Sequence, residues 1–235
     1  MISVVVPAHN EAGWLAGSVR TIADGVRRRG TPFEIVVVEN GSEDGTADVA
    51  RGLRGEVPEL HVLTLADADY GRALRTGLLS ARGEIIVIFD VDFVDLTFLD
   101  AAVARLSAGP DAPDIVVGAK RGPGADDRRP FPRRVVTAVF SLILRHGFGL
   151  GVPDTHGIKA MRRAPVQPVA DRCRFGTDLF DTELILRAER AGLRVDAIPV
   201  TVREERPSRS PIARRALRTV VGLARLKLAL RRSAR

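Results

Sequence analysis

The sequence predicts an α/β fold in which a mostly parallel central sheet carries helices on both faces. Strand-like and helix-like segments alternate from the first residues, as they do in proteins built from consecutive βα units. The strand-like segments are short and rich in valine and isoleucine, which is typical of parallel strands buried on both faces. The chain has 235 residues, 45% of them hydrophobic, which is enough for one well-filled domain.

The first half of the chain holds five predicted strands and four predicted helices. We expect strands at 3–6, 34–38, 60–65, 84–89 and 114–117. Leu15, Val19, Ile22 and Val26 recur at spacings of three and four, which marks one face of a helix. A second helix is expected to begin near Asp44, whose side chain can cap it. Two further helices are predicted at 72–81 and 96–106.

The second half begins with a long loop. Residues 118–134 are rich in Gly, Pro, Arg and Asp and show no periodicity, and a loop of this length inside a domain is usually functional. A helix at 135–144, a strand at 157–161, a helix at 180–191 and a strand at 193–202 are expected to follow. We predict one globular domain over 1–210, followed by a separate helical tail over 211–235.

Positive charge is concentrated at the end of the chain. The net charge is +7, yet residues 203–235 hold eleven Arg or Lys against two Glu, so the remainder is close to neutral at about −2. On a helical projection Arg214, Arg218, Arg225 and Arg232 share a narrow arc, and leucines and valines fill the rest. Such a helix suits the interface of an anionic membrane. The alternative is that it packs on the domain or on a second copy.

Targeting signals are absent from the sequence. No run of about 18 uncharged apolar residues predicts a spanning helix, and the first residues lack the features of a secretory signal. The single cysteine, Cys173, excludes an internal disulfide and fits a reducing compartment. These features predict a cytoplasmic protein, peripheral at the cytoplasmic face of the membrane if the tail binds lipid.

Two carboxylates follow the most apolar predicted strand. Residues 84–89 run directly into Asp90-Val91-Asp92, and residues i and i+2 of a strand point to the same side. Ligands of open α/β sheets bind at the carboxyl ends of strands, and paired carboxylates suit Mg²⁺ or Mn²⁺ together with phosphate oxygens. We therefore predict a metal site for a nucleotide diphosphate at Asp90 and Asp92. The alternative is that the pair caps the helix near Leu96.

Several segments at the predicted strand ends together resemble the GT-A (nucleotide-diphospho-sugar transferase) domain of family 2 glycosyltransferases, and most closely the dolichyl-phosphate or polyprenyl-phosphate mannose synthase group. The first four lie at 7–11 (Pro-Ala-His-Asn-Glu), 39–46 (beginning Glu-Asn-Gly-Ser), 70–77 (beginning Tyr-Gly-Arg) and 90–92 (Asp-Val-Asp). Further similar segments lie at 117–121, 154–160, 180–184, 197–200 and 206–210. The resemblance covers residues 1–210, and the order and spacing of the segments make it specific.

The resemblance implies roles for individual residues. The residues implied to bind the donor lie near the strand ends. They are Pro7, His9, Glu11, Glu39, Asn40, Gly71, Asp90 and Lys120, with Arg121 as the alternative to Lys120. An oxygen of Glu39 or Asn40 is expected to accept an N–H of the donor base, and Glu11 to reach the ribose. Asp92, Arg134 and Arg206 are the implied catalytic residues, because guanidinium groups suit diphosphate and acceptor phosphate.

This chain departs from the family pattern at several positions. It has Glu39-Asn40 where the family usually has two Asp, and His9 where it has Tyr. A third side-chain ligand of the ion often follows two residues after the second Asp, but Val94 occupies that position. We expect water or Asp95 to complete the coordination of the ion.

The acceptor decides whether a base is needed. A polyprenyl phosphate is already anionic, so inverting attack on the anomeric carbon requires no general base, whereas a hydroxyl acceptor requires one. Asp178, Asp181 and Glu183 are the candidate bases, although Glu183 at a helix start can simply favour the macrodipole. Asp154 and His156 are expected on the acceptor side.

The leading hypothesis is a metal-dependent, inverting transferase of hexose to polyprenyl phosphate, with GDP-mannose as the first donor and UDP-glucose as the second. The alternatives are a catalytically silent module that binds nucleotide sugar or membrane, and a transferase to a non-lipid hydroxyl. Nucleic-acid binding is disfavoured because the basic charge is confined to the tail and only 5% of residues are aromatic. The first strand is not followed by the Gly-x-Gly-x-x-Gly of dinucleotide enzymes or by the glycine-rich phosphate loop of nucleotidyltransferases.

Overall fold

The computed structural model describes residues 1–120, 124–128, 131–152, 155–176, 179–202 and 221–230, without the side chains of Pro132 and Arg133. The strands are β1 (Ile2–Ala8), β2 (Phe33–Asn40), β3 (Leu60–Leu65), β4 (Ile85–Ile88), β5 (Ile115–Ala119), β6 (Asp126–Asp127), β7 (Lys159–Arg162), β8 (Val195–Pro199) and β9 (Thr201–Val202). The helices are α1 (Leu15–Arg27), α2 (Thr46–Leu53), α3 (Tyr70–Ser80), α4 (Leu96–Leu106), α5 (Phe131–Phe148), α6 (Arg163–Arg172) and α7 (Phe180–Arg190), and residues 221–230 form helix α8.

Seven strands form one sheet in the order β3-β2-β1-β4-β7-β5-β8. Only β7 runs against its neighbours in this sheet, pairing antiparallel with both β4 and β5, while the other four pairings are parallel. Strands β6 and β9 form a separate parallel pair. The prediction of a mostly parallel α/β sheet is therefore confirmed.

Both faces of the sheet are buried under helices. Val4 and Val6 of β1 pack into an apolar cluster with α1, α2 and α4, and Val5 between them packs into a second cluster with α3, α6 and α7. This division follows from the alternation of side chains along a strand. It explains why the strands consist of nearly continuous apolar residues rather than an alternating pattern.

The second half of the chain differs from its prediction in four places. Helix α6 was not expected, because it contains Pro165 and Pro168; Pro165 lies in the first turn, where a backbone N–H has no helical partner. Helix α5 begins at Phe131, inside the predicted loop 118–134, and that loop also contains β6. The predicted strand 193–202 is divided at Val200, whose N–H donates to the carbonyl of Ala119.

None of the helices in the described ranges is both long enough and apolar enough to cross a membrane.

Two helical glycines provide a test of how closely α3 packs on the sheet. A Cβ at Gly77 of α3 would lie 2.4 Å from a methyl carbon of Val5, whereas a Cβ at Gly17 of α1 would meet nothing within 4 Å. We expect Gly77→Ala to lower the free energy of unfolding by about 1–3 kcal/mol because the core is overpacked. Gly17→Ala should raise it by about 0.4–1 kcal/mol. Urea unfolding measures both changes, and equal effects would contradict the close contact.

Candidate active site

The described donor and metal residues expected from the sequence lie in or after strands that end at one edge of the sheet. Strands β1, β2 and β4 are parallel neighbours, so the loops that follow them lie at the same edge. Strand β7 runs in the opposite direction, and its first residue, Lys159, is paired with Ile88, the last residue of β4. The segment that precedes β7 therefore lies at this edge as well.

The loops after β1 and β2 are joined by hydrogen bonds. The His9 ring donates from Nδ1 to the carbonyl of Asn40 at 2.8 Å, because a carbonyl can only accept. The backbone N–H of Asn10 donates to Ser42 Oγ at 3.0 Å, and the N–H of Glu43 donates to Asn10 Oδ1 at 2.9 Å. Asn10 has a φ of 55°, in the left-handed region that asparagine tolerates. The two loops thus form one wall of the site.

Glu39 and Asn40 stabilise these loops through hydrogen bonds from their side chains to the backbone. Both side chains are buried. Glu39 Oε1 accepts from the N–H of Ser42 at 2.7 Å, and Asn40 Oδ1 accepts from the N–H of Asp69 at 2.8 Å. The Asn40 oxygen expected to accept from a donor base is therefore already bonded to the backbone before α3, and the first role of these residues is to shape the loops.

Three further residues were expected to bind the donor at the ends of the first three strands, and the structure places each in a different environment. Pro7 is buried within β1, and Glu11 is partly exposed, with its N–H donating to Thr46 Oγ1 at 2.7 Å. Gly71 is buried in the first turn of α3, where a Cβ would approach the backbone of Gly176 to 2.8 Å. Close packing accounts for the glycine, and its contact with a donor stays a prediction.

Asp90 and Asp92 lie in the loop after β4. Asp90 is partly accessible, and Tyr70 Oη donates to its Oδ1 at 3.4 Å. The pKa of Asp90 is raised, first by desolvation and then by the nearby carboxylates, including Asp92, while two lysines oppose the rise. Asp92 is exposed. Two acidic groups close enough to repel each other would be stabilised by a bound cation.

The cap of helix α4 is neither of these two residues. Asp95 Oδ1 accepts from the N–H groups of Thr97 and Phe98, both at 2.9 Å. The Oδ1 oxygen of Asp95 is therefore engaged at the helix, which argues against this side chain as a ligand of the ion; the expectation that water or Asp95 completes the coordination stays a prediction. Val94 is partly buried against the apolar cluster. The capping alternative for Asp90 and Asp92 is thereby removed.

The donor set at Asp90 and Asp92 fits a cation that arrives with its substrate. In the ranges that the structure covers, no three His, Cys, Asp or Glu side chains are grouped so that they could hold a metal ion. Mg²⁺ commonly binds through only one or two carboxylates plus substrate phosphates and water. Two carboxylates at the end of β4 match that mode and not an all-protein cage.

Two lysines flank this carboxylate pair. Lys120 follows β5, and a Cβ at Gly157 would lie 3.0 Å from its Nζ. Gly157 also has a φ of +100°, so glycine both adopts this backbone conformation and leaves room for the ammonium group. Lys159 is fully buried, and its Nζ donates to Asp181 Oδ1 and to the carbonyl of Gly157, both at 2.7 Å.

The pair Lys159–Asp181 is the main site feature that the sequence analysis missed. The signal was available, because a lysine in the first position of a buried apolar strand needs a partner of opposite charge. The pair lies under the carboxyl end of β4, and both of its charges act on Asp90.

The candidate bases are fixed in ion pairs where the structure describes them. Asp181 is bound to Lys159. Glu183 is fully buried; its Oε2 accepts from the N–H groups of Arg174 and Phe175 at 2.8 Å, and its Oε1 accepts from Arg187 Nε at 2.7 Å. The macrodipole interpretation of Glu183 is therefore incomplete, since it anchors a turn. Asp178 lies outside the described residues.

The acceptor-side predictions are described only in part. The His156 ring packs edge-on against Phe140 of α5, with centroids 5.3 Å apart, and its Nδ1 is 3.2 Å from Thr155 Oγ1. Arg134 lies exposed on α5. Arg121, Asp154 and Arg206 lie outside the described residues, as do 211–220 and 231–235 of the tail. Within α8, Leu223, Leu226 and Leu230 are buried in the domain's core.

The sequence model of the family described as glycosyl transferase family 2 matches residues 3–168. The chain belongs to this family. Among relatives, glycosyltransferase AglD of Haloferax volcanii is 30% identical over 204 residues, covering 85% of this chain and 32% of AglD. Dolichyl-phosphate β-glucosyltransferase of Drosophila melanogaster is 28% identical, covering 85% and 66%. Undecaprenyl-phosphate mannosyltransferase of Micrococcus luteus is 27% identical, covering 85% and 82%.

Solved structures agree on the fold. The mannosyltransferase PcManGT from Pyrobaculum calidifontis, in complex with GDP-Man and Mn²⁺, has a TM-score of 0.59 at 26% identity, covering 89% of this chain and 58% of that one. Glucosyl-3-phosphoglycerate synthase from Mycobacterium tuberculosis, bound to Mn²⁺, UDP and glucosyl-3-phosphoglycerate, has a TM-score of 0.63 at 22% identity, covering 91% and 74%. These similarities confirm the predicted GT-A fold. The chain spans about a third of the length of AglD.

The buried pair Lys159–Asp181 can be tested by removing one or both charges. We expect Lys159→Met to lower the free energy of unfolding by about 3–5 kcal/mol, because Asp181 would be left buried and unpaired. The double variant Lys159→Met/Asp181→Leu should recover most of the loss. Arg20→Met is the control, since its pair with Glu56 is about half exposed and is worth only about 0.2–1 kcal/mol. Urea unfolding that finds the double variant no more stable than Lys159→Met would contradict this account.

Proposed function

We propose that this chain is an inverting, metal-dependent glycosyltransferase that moves a hexose, mannose or glucose, from a nucleotide diphosphate sugar to a polyprenyl phosphate or a related lipid acceptor. The observation that carries the proposal is the position of Asp90 and Asp92 at the carboxyl end of β4, beside the joined loops after β1 and β2. The named relatives include a glucosyltransferase and a mannosyltransferase of lipid phosphates, and this supports the acceptor class.

The donor diphosphate is proposed to lie against the end of β4. Asp90 and Asp92 would hold Mg²⁺ or Mn²⁺, which supplies positive charge that stabilises the departing diphosphate. Lys120 adds a positive charge close enough to Asp90 to lower the pKa of that carboxyl. The wall of His9, Glu11, Glu39 and Asn40 is proposed to receive the base and ribose, through the loop atoms that Glu39 and Asn40 position.

A phosphate acceptor agrees with the state of the candidate bases. A hydroxyl acceptor would need a carboxylate able to take a proton. Of the three candidates, Asp181 and Glu183 are buried in ion pairs with Lys159 and Arg187, and Asp178 lies outside the described residues. A phosphate monoester attacks as an anion and needs no such group. Arg134 and Arg206 are proposed to bind that phosphate, which brings two negative charges into a site that already contains the diphosphate.

Peripheral contact with the cytoplasmic face of a membrane through the C-terminal helix belongs to the same proposal. The basic composition of residues 203–235 supports it.

Transfer of labelled hexose to polyprenyl phosphate tests the proposal directly. With Mn²⁺ or Mg²⁺ and either UDP-glucose or GDP-mannose, we expect product from wild type. Asp92→Ala should lower kcat/KM at least about a hundredfold, which is about 2.7 kcal/mol, because it removes a ligand of the ion. Asp95→Ala is the matched control: it should cost about 1 kcal/mol of stability through the lost cap and leave transfer unchanged.

A thermal-shift screen identifies the donor. A nucleotide diphosphate sugar that binds only the folded chain raises the melting temperature, and we expect this rise for one base class and only with Mn²⁺ or Mg²⁺ present. Asp92→Ala should abolish the metal-dependent part of the rise. A donor that stabilises the protein but is never transferred to any acceptor would favour a silent binding module.

A further inference from the structure

Helix α5 exposes most of its large hydrophobic side chains. Soluble proteins usually expose such residues singly rather than in contiguous patches. In α5 six of them are between 39% and 73% exposed. We call them the α5 stripe: Phe131, Val135, Val136, Val139, Leu142 and Ile143.

The stripe is continuous along the helix. At 100° per residue its six members fall within an arc of about 140°, and His146 lies in the same arc at the end of the helix. Leu144, on the opposite side, is buried, and Phe140 and Phe148 are partly buried against the core. Helix α5 therefore packs on the domain through a narrow edge and turns a broad apolar face away from it.

The charged side chains on α5 itself are basic, and its two exposed arginines lie along one edge of the stripe. Helix α5 contains no Asp or Glu, and Arg134, Arg145 and His146 are exposed on it. The neighbouring α8 adds Arg225 and Lys227, again without an acidic residue. Lys227 Nζ lies 5.7 Å from the centroid of the Phe148 ring, so the two helices are adjacent.

We propose that the α5 stripe inserts into the interface of an anionic membrane, with the flanking arginines at the level of the lipid phosphates. Apolar side chains bordered by basic groups are the arrangement that binds such interfaces. A second copy is a poorer partner, because joining two stripes would bring the arginines of both copies together. An anionic membrane would bury the apolar face of α5 and attract its basic side chains.

This surface is connected to the candidate site. Phe140, on the inner side of α5, packs against His156, which precedes β7 at the edge of the sheet where Asp90 lies. A membrane held at the stripe would therefore lie close to the acceptor side of the site. The inference does not depend on the proposed transfer reaction, because binding to lipid requires neither donor nor acceptor.

Co-sedimentation of the full-length protein with vesicles tests the proposal. We expect binding to vesicles of phosphatidylcholine mixed with phosphatidylglycerol, and weaker binding to phosphatidylcholine alone. Leu142→Asp should lower the partition coefficient between vesicles and water roughly tenfold or more, because it places a charge in the face that would enter the membrane. Val139→Asp should act in the same direction. Both positions are exposed, so the fold, checked by circular dichroism, should be retained.

Two variants provide matched controls. Leu79→Asp makes the same charge change at an exposed position on α3 and should alter binding by less than about twofold. Leu228→Asp changes a residue of α8 that is 57% exposed, against 58% for Leu142, and should have a smaller effect than Leu142→Asp. Wild-type behaviour of Leu142→Asp, or loss of binding in Leu228→Asp alone, would overturn the assignment to α5. The proposal would also be overturned if the wild-type protein does not bind vesicles but forms a dimer that the substitution Leu142→Asp dissociates.

Discussion

The reversed direction of β7 is the constraint on which the candidate site depends. In a parallel sheet, only the residues that follow a strand reach the carboxyl edge. Because β7 runs antiparallel between β4 and β5, the residues that precede it reach that edge instead. This places Thr155, His156 and Gly157 beside the loop of Asp90 and Asp92, and it brings Lys159 against the last residue of β4.

The position of Lys159 determines the electrostatics beneath the site. A lysine with no exposed surface needs a compensating charge, and Asp181 at the start of α7 supplies it at 2.7 Å. The pair fixes α7 to the sheet, and its two charges act on Asp90 in opposite directions: Lys159 lowers the pKa of that carboxyl and Asp181 raises it. What remains in the cleft is a carboxylate pair with raised pKa at Asp90 and the ammonium of Lys120. Such a site would favour a cation and a diphosphate together over either alone, as the proposed function requires.

Periodicity in the sequence was sufficient for the regular elements and insufficient for the polar contacts. The bounds of β3 and α4 agree with their predictions to the residue, because apolar spacing and flanking polar residues mark both ends. Helix α6 was missed because its prolines contradict helix propensity, and β6 because two aspartates carry no strand pattern. The pairing of β6 with β9 joins residues 75 positions apart, and local sequence does not encode such separations.

The site residues show the same division. The order of the motifs correctly predicted that the ends of β1, β2 and β4 lie close together, because the carboxyl ends of neighbouring parallel strands lie at the same edge of a sheet. The partners of individual side chains did not follow, because several groups competed for each role: Asp95 rather than Asp92 caps α4, and the Asn40 oxygen accepts from the N–H of Asp69. Residue type and position define which bonds are possible, and only the packed loops decide among them.

The chemistry and the surface of the chain support the same acceptor. Among the described candidate bases, Asp181 and Glu183 are both held in buried ion pairs, which agrees with the proposed acceptor, a phosphate that needs no base. An acceptor of that kind on a polyprenyl chain must be reached at a lipid surface. The α5 stripe offers an apolar face with basic borders, and its inner side contacts His156 through Phe140. The ion-paired state of the two described candidate bases and the exposed apolar face of α5 would both fit one requirement of the proposed reaction, that an anionic lipid head group enters beside β7.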